Sequence, residues 1–548
     1  MSNEATSERL REGALYVVVV SIALVARIPS MGEGFWIDEV MSAATIGDPW
    51  GLLFTRVGFA DVHPPGYYVL LKMWAAVVGD GDIALRSLSL VASLGTVVLL
   101  MRWIRCHGGR LAALFGGVAL ACSPFHIHYS VEVRAYALFT LVALALAWRV
   151  DRWLTAPSSR GLWAVVALEI AALSLHYYAL LWVALLNIFA FTHAHLNSRP
   201  RRLEWLRGQV VALAALAAWL PLLLVQMFEL PEVMKAHLSD DLPLARMIAS
   251  LGPLPSIDPS PFAIGTGLLI LVLALVGAWF CRARPLPPPH DDVAVSRGGS
   301  LLSAGALGAV LLVMPLVPLV AMPMSEALVE AYLRQLPWAY AWVALACALG
   351  GGFALAAGLR VSLSLATVLA LGGPLLVGVL NQLQPMLFLR NLLVFVPPAL
   401  LLAAWALDRA PRFARVGASV LLLVLALPHA TEGSSAFMPR QDFLAAAAAL
   451  DDAPGAPIVV APGWDAPGVA RYRSDRPVLP AMSAAEVASA ARQASSVVVL
   501  LSRPGRLPLS ADDVQVALEG QWRLEDQRHL RGHRGPMQWL RYVRADDG

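Results

Sequence analysis

Apolar residues run in long unbroken stretches along most of this chain, and the polar positions fall between them rather than alternating with them. A membrane span needs about 20 mostly apolar residues. That criterion predicts spans near Ala14–Pro29, Ile83–Trp103, Leu111–Cys122, Ala135–Val150, Leu162–Ser174, Leu180–Thr192 and Val210–Met227. Further spans are expected near Ile264–Cys281, Leu301–Met322, Trp338–Ala357, Val361–Leu380, Leu392–Leu407 and Val416–Leu427. The total is roughly 13, because windows near the length threshold split or merge. After residue 430 the pattern changes: Gln441–Leu450 and Ala484–Ala494 read as helices, and Ile458–Ala461, Val497–Ser502 and Trp539–Val543 as short strands. The expected architecture is an α-helical polytopic module over residues 1–430, with a long first outer loop at about 32–82, and a small C-terminal α/β domain over 431–548. The Pro-rich stretch Arg282–Gly299 reads as a flexible linker.

Composition agrees with that pattern. The 548 residues are 58% hydrophobic and 14% charged, whereas soluble domains run about 45–50% apolar and roughly 25% charged. A large soluble protein could not bury so many apolar runs. Arginine sets the orientation. Every second short loop is basic: Arg102, Arg105 and Arg110, then Arg149, Arg152 and Arg160, then Arg199, Arg201, Arg202 and Arg207, and so on to Arg409, Arg412 and Arg415. By the positive-inside rule these loops are cytoplasmic, and an odd number of spans puts the tail on the outer face. The N-terminal run has no small-residue cleavage site after it and reads as an uncleaved span. The net charge of +3 and the lack of a basic, aromatic-interleaved stripe give no sign of a nucleic-acid partner. The four cysteines, Cys106, Cys122, Cys281 and Cys347, follow neither metal-site nor disulfide spacing.

The predicted outer loops carry the candidate chemistry. The first holds Trp36-Ile37-Asp38-Glu39 and then His63-Pro64-Pro65-Gly66-Tyr67-Tyr68. Adjacent acids beside interfacial aromatics are desolvated, and a desolvated carboxylate can act as a base near neutral pH. The competing reading has Asp38 capping the next helix, with Glu39 in its first turn. His63 reads either as a turn residue or as a polar contact to phosphate or sugar. Lys72, one of two lysines, could snorkel to a lipid phosphate. The second outer loop carries His126, His128, Glu132, Arg134 and Tyr136. Two histidines without a third ligand are a weak metal signal. Glu132 and Arg134 sit where charges are costly, so they are either functional or held in a private ion pair such as Glu132–Arg134 or Arg86–Glu132. Arg390, at the outer start of a span, offers a planar fork of donors suited to phosphate, with ordinary snorkelling as the alternative; Arg334 is a second, weaker candidate.

Taken in order, Trp36-x-Asp38-Glu39, His63-Pro64-Pro65-Gly66-Tyr67-Tyr68, Arg86, Ser130-x-Glu132-x-Arg134-x-Tyr136, His176-Tyr177 and Arg390-Asn391-Leu392 resemble bacterial GT-C glycosyltransferases. The likeness is to the family 39, mannosyltransferase-like branch, related to protein O-mannosyltransferases and lipid A aminoarabinose transferases. It covers about Ala14–Arg409. The resemblance implies a polyprenyl-phosphate sugar donor, an envelope acceptor (lipid, glycan or protein) and one inverting displacement on the outer face of the bacterial cytoplasmic membrane. Carried onto this chain, Asp38 takes the acceptor proton and Glu39 assists. Arg390, with Arg134 or Lys72, stabilises the departing phosphate. His63, Tyr67, Arg86, Glu132, Tyr136, His176 and Tyr177 shape the substrate pocket. Related enzymes often have Arg-Tyr at Arg390-Asn391, and some have lysine at His63. No cofactor is required by these residues, and the sequence does not support a divalent metal. The competing classes are a transporter or flippase of lipid-linked sugars and a noncatalytic envelope-complex member. Transporters place their polar residues at the bilayer midplane within repeats, a pattern absent from this sequence.

Overall fold

The computed structural model describes residues 2–61, 63–192, 198–217, 219–222, 226, 365–374, 376–377, 389–409, 416, 443–492, 494–502, 509–532 and 535–545. The expected spans Ile264–Cys281, Leu301–Met322 and Trp338–Ala357, nearly all of Val416–Leu427, the linker and Arg334 lie outside these residues.

The helix Asp82–His107 is by itself long and apolar enough to cross a membrane. At 1.5 Å per residue its 26 residues extend roughly 39 Å. Asp82 in its first turn and Arg105 and His107 in its last complement the helix dipole. Arg110–Ala121 continues into Pro124–Ser130 across a 60° bend, and together the two pass the same test as one broken span. Among the described residues Gly66–Val78, Ala179–Phe191 and Arg390–Trp405 are shorter apolar helices. Around Asp82–His107 pack Ser2–Val25, Arg110–Ala121, Tyr136–Thr155 and Val396–Arg409, joined in one apolar core that runs from Val19 through Trp103, Trp153 and Trp182 to Trp405. Val17, Val18, Val25, Val91, Val210 and Leu213 are exposed on the outside of this bundle. Unsatisfied apolar surface of that kind is what a hydrocarbon environment covers.

Both loops predicted to lie on the outer face are structured. The first folds into the helices Ile37–Gly47, Trp50–Ala60 and Gly66–Val78. Pro65 is the N-cap residue of the last of these and is not extended as expected: at φ −73° and ψ −14° it already has helical backbone angles. A side chain at Gly66 would run into the backbone oxygen of Ser174, so glycine lets this helix start directly against Ser159–Leu175. Gly79, at φ +94°, ends it. The second loop is buried from Ser123 to Tyr136, with Ser123 capping its helix by accepting from the His126 amide at 3.4 Å.

The tail carries one five-stranded sheet in the order β2-β1-β3-β5-β4, with β1 Ile458–Ala461, β2 Val478–Pro480, β3 Ser496–Ser502, β4 Trp522–Gly532 and β5 Gly535–Arg544. β2, β1 and β3 are parallel; β5 runs antiparallel to both β3 and β4. β1 and β3 are buried almost throughout, as central parallel strands are. β2 and β4 escaped the sequence reading. The first is three residues long, and the second, Trp-Arg-Leu-Glu-Asp-Gln-Arg-His-Leu-Arg-Gly, is a mostly polar edge. The helices Ala466–Tyr472 and Ala511–Leu518 were also missed.

Candidate functional site

Asp38 lies in the first turn of Ile37–Gly47. The capping role once considered for it belongs to its neighbour: Glu39 reaches back to accept from the Trp36 amide at 3.3 Å. The two adjacent carboxylates therefore diverge. Glu39 is fully buried and takes a two-pronged bond from Arg86, Nε to Oε1 at 2.8 Å and Nη2 to Oε2 at 2.6 Å. Its Oε1 also accepts the Val133 amide at 3.1 Å. Arg86 in turn donates to the carbonyls of Met31 and Gly34, at 3.2 and 3.1 Å, and to that of Glu33. This pair ties the first loop to the long helix and to the second loop. Glu39 and Arg86, read from sequence as catalytic and substrate-binding, are placed as a buried structural ion pair with their bonding capacity spent on protein groups. The suggested Arg86–Glu132 pair is replaced by Arg86–Glu39.

The Asp38 side chain is 25% exposed and meets two guanidiniums: Arg390 Nη1 at 3.1 Å and Arg134 Nη2 at 3.7 Å. Burial alone would raise its pKa; Arg134 and then Arg390 more than reverse this and hold Asp38 below the ordinary carboxylate range. Arg134 is aimed by a tight turn in which its amide donates to the Glu132 carbonyl at 2.8 Å, while Ser89 Oγ donates to that same carbonyl at 2.5 Å. The Glu132 side chain is itself fully buried. Besides Asp38, Arg134 Nη1 reaches Tyr68 Oη at 2.8 Å, Asp61 Oδ2 at 3.3 Å and Ser42 Oγ at 3.4 Å. Arg390 opens the 3-10 turn Leu389–Phe395 and lies over the Tyr136 ring, 5.4 Å from its centroid.

Asp61 and Tyr68, which the sequence assigns no role, join the cluster. Asp61 accepts from the His63 amide at 3.0 Å, bonds His63 Nδ1 at 2.7 Å and accepts from the Tyr68 hydroxyl. The signal available was an acid two residues before a histidine, an Asx-turn spacing. Burial would raise the Asp61 pKa, but Arg134 and His63 drive it well below the ordinary carboxylate range. Burial lowers the His63 pKa, with Asp61 pulling the other way, so the ring is neutral near pH 7. With Nδ1 donating to Asp61, Nε2 faces Tyr136 Oη at 3.5 Å. His176 packs behind, its ring 5.1 Å from His63 and stacked on Phe139 at 5.3 Å.

The structure thus brings Asp38, His63, Arg134, Tyr136 and Arg390 into one cluster, with His176 as its back wall. Others fall elsewhere. Tyr67 is buried edge-on against Tyr68, ring centroids 5.4 Å apart. Tyr177 bonds Gln226, whose amide donates to the His63 carbonyl at 3.1 Å and so props the loop. Lys72, considered for phosphate, instead donates to the carbonyls of Ile46 and Asp48, at 2.5 and 2.6 Å, at the C-terminal end of the Asp38 helix. His126 is engaged by the buried Arg27, Nη2 to Nδ1 at 2.8 Å. Among the described residues no three metal-ligating side chains converge.

Residues 62–221 match the family described as dolichyl-phosphate-mannose-protein mannosyltransferase. Over that stretch the chain is similar to that family. The match contains His63, Arg86, Glu132, Arg134, Tyr136 and His176, and leaves Asp38 and Arg390 outside. No curated protein matches the chain. Among solved structures it is similar to ArnT from Cupriavidus metallidurans in the apo state, at 15% identity and TM-score 0.44 over 96% of this chain and 98% of that one. ArnT bound to undecaprenyl phosphate gives 16%, 0.45 and 98% of both chains. The Archaeoglobus fulgidus oligosaccharyltransferase in the apo form gives 12% and 0.47, over 97% of this chain and 74% of that one.

Proposed function

We propose that this protein is a membrane glycosyltransferase that moves one sugar from a polyprenyl phosphate to an envelope acceptor on the outer face of the cytoplasmic membrane, with inversion. The observation that carries this reading is the meeting of Asp38, Arg134 and Arg390, from three distant segments, at a partly open position. The acceptor hydroxyl or amine attacks the anomeric carbon, and its proton passes to the Asp38 carboxylate. The bond between that carbon and the phosphate oxygen breaks, and the electron pair leaves with the phosphate. Arg390 and Arg134 hold the charge that develops there, which preorganised cations do without rearrangement. His63 and Tyr136 line the same cluster and orient the substrates.

The shared arginines have a chemical consequence. A base held low by two cations is ionised but weak. The phosphodiester of the bound donor competes for those guanidiniums, draws positive charge off Asp38 and raises its basicity. Donor arrival therefore arms the base.

The test is mass spectrometry of lipid-linked sugars and envelope glycans in a strain lacking the gene, complemented with wild type or Asp38→Asn. Loss of one glycan, accumulation of its lipid-linked precursor and failure of Asp38→Asn to restore transfer are the expected results. Full restoration by Asp38→Asn at equal expression would refute the assignment.

A further inference from the structure

The tail meets the loop that carries Asp38 through the helix Ala466–Tyr472, and that contact is built from polar groups of matched geometry. Arg471, in the helix Ala466–Tyr472, binds Asp82 through Nη2 at 2.7 Å and Nε at 3.1 Å, and donates to the Asp80 carbonyl at 3.1 Å. Its guanidinium lies 4.5 Å from the centroid of the Phe35 ring, which also carries Arg86 at 4.9 Å. Tyr472 Oη accepts the Phe35 amide at 2.7 Å and donates to Asp82. Phe35 is fully buried and stands three residues before Asp38, next to the Trp36 that starts its helix. An apolar layer continues the contact, joining Phe35, Ile37 and Val40 to Phe443 and Val469 of the tail.

From this we infer that the tail is a working part of the site: Arg471 and Tyr472 clamp the backbone at Phe35 and so position Asp38. The inference rests on Asp38 being the base. A buried aromatic held by two cations and a backbone amide given a fixed acceptor leave the start of the helix one geometry. Placement to within a fraction of an ångström matters, since a misplacement of about 1 Å can cost a hundredfold in rate. Arg471 and Tyr472 act through the loop and are positioning residues.

Hydrogen exchange and transfer are measured on the full chain, the first in nanodiscs of phosphatidylethanolamine and phosphatidylglycerol, the second by the complementation assay. Tyr472→Phe removes one oxygen and leaves the ring, so it keeps the fold even where Arg471→Gln does not. Exchange in the segment 33–39 is expected to quicken about tenfold, the size of one lost hydrogen bond. Transfer should fall at least about tenfold, while undecaprenyl phosphate binding stays within about twofold. Arg471→Lys keeps a cation for Asp82 and should recover most of the transfer lost in Arg471→Gln. Unchanged exchange in Tyr472→Phe would sink the clamp. Faster exchange with wild-type transfer would sink the positioning role. Activity in Asp38→Asn with faster exchange in Tyr472→Phe would instead overturn the base and leave the clamp standing.

Discussion

Two neighbouring acids make opposite predictions. Glu39 accepts four bonds from Arg86, Val133 and Trp36 and is fully buried. Glu39→Gln keeps one acceptor oxygen but turns an amide toward the guanidinium and removes the charge opposite Arg86. Breaking a buried pair by removing one partner costs about 3–5 kcal/mol, because the remaining charge has no water to fall back on. Arg86 keeps its carbonyl contacts, so the lower end of that range is expected. Asp38 is a quarter exposed, and Arg134 retains Asp61 and Tyr68 without it. Asp38→Asn should cost at most about 1 kcal/mol and reduce transfer about 10²–10⁴-fold. Thermal unfolding of the detergent-solubilised chain, followed by tryptophan fluorescence, measures the first quantity. The complementation assay measures the second. Glu39→Gln is expected to melt several degrees lower, with activity falling as folded protein falls. An inactive Glu39→Gln with the wild-type melting temperature would refute the division and move the base to Glu39.

Three other outcomes follow from the same geometry. Arg390→Lys keeps the charge but loses the fork over Tyr136, and should weaken undecaprenyl phosphate binding about tenfold, read by titration of the purified chain. Lys72→Met removes the donor at the end of the Asp38 helix and should cost about 1 kcal/mol in thermal unfolding, with phosphate binding within about twofold. The pH response has two windows. His63 has a lowered native pKa, so the unfolded chain takes up its proton first and stability falls as pH drops below about 6.5. Asp38 and Asp61 have lowered native pKa values, so their contribution is present above about 3.9 and is lost as pH falls below it. His63→Gln should reduce the first window in melting curves between pH 7 and 5, the buried His126 and His176 supplying the rest, and weaken the second, because Asp61 loses one of the groups that hold its carboxyl low.

Much of the site was legible in order along the chain and little of it in partnership. Asp38, His63, Arg134 and Arg390 stand out because a charge or imidazole beside an apolar run is costly and needs a reason, and Tyr136 comes in with the motif around Arg134. That cost says nothing about which opposite charge answers it. Arg86 could be paired on paper with Glu132; the packing of the first loop across the long helix gave it Glu39. Lys72 looked like a phosphate ligand until the fold set it against two carbonyls. Asp61 was passed over because one acid in a loop is ordinary until Arg134, His63 and Tyr68 are seen around it.

The sequence by itself determined the apolar segmentation, the change of composition at the tail, the central strands β1 and β3 and the set of residues worth suspecting, because span length and burial are local properties of composition. Only the tertiary structure decided that both loops are folded and the second is buried, that Asp38 rather than Glu39 faces the open position, and that Tyr472 reaches Phe35 across 437 residues. These are pairings between distant segments, set by how helices pack and by which carboxylate points toward which guanidinium, and no local pattern encodes them.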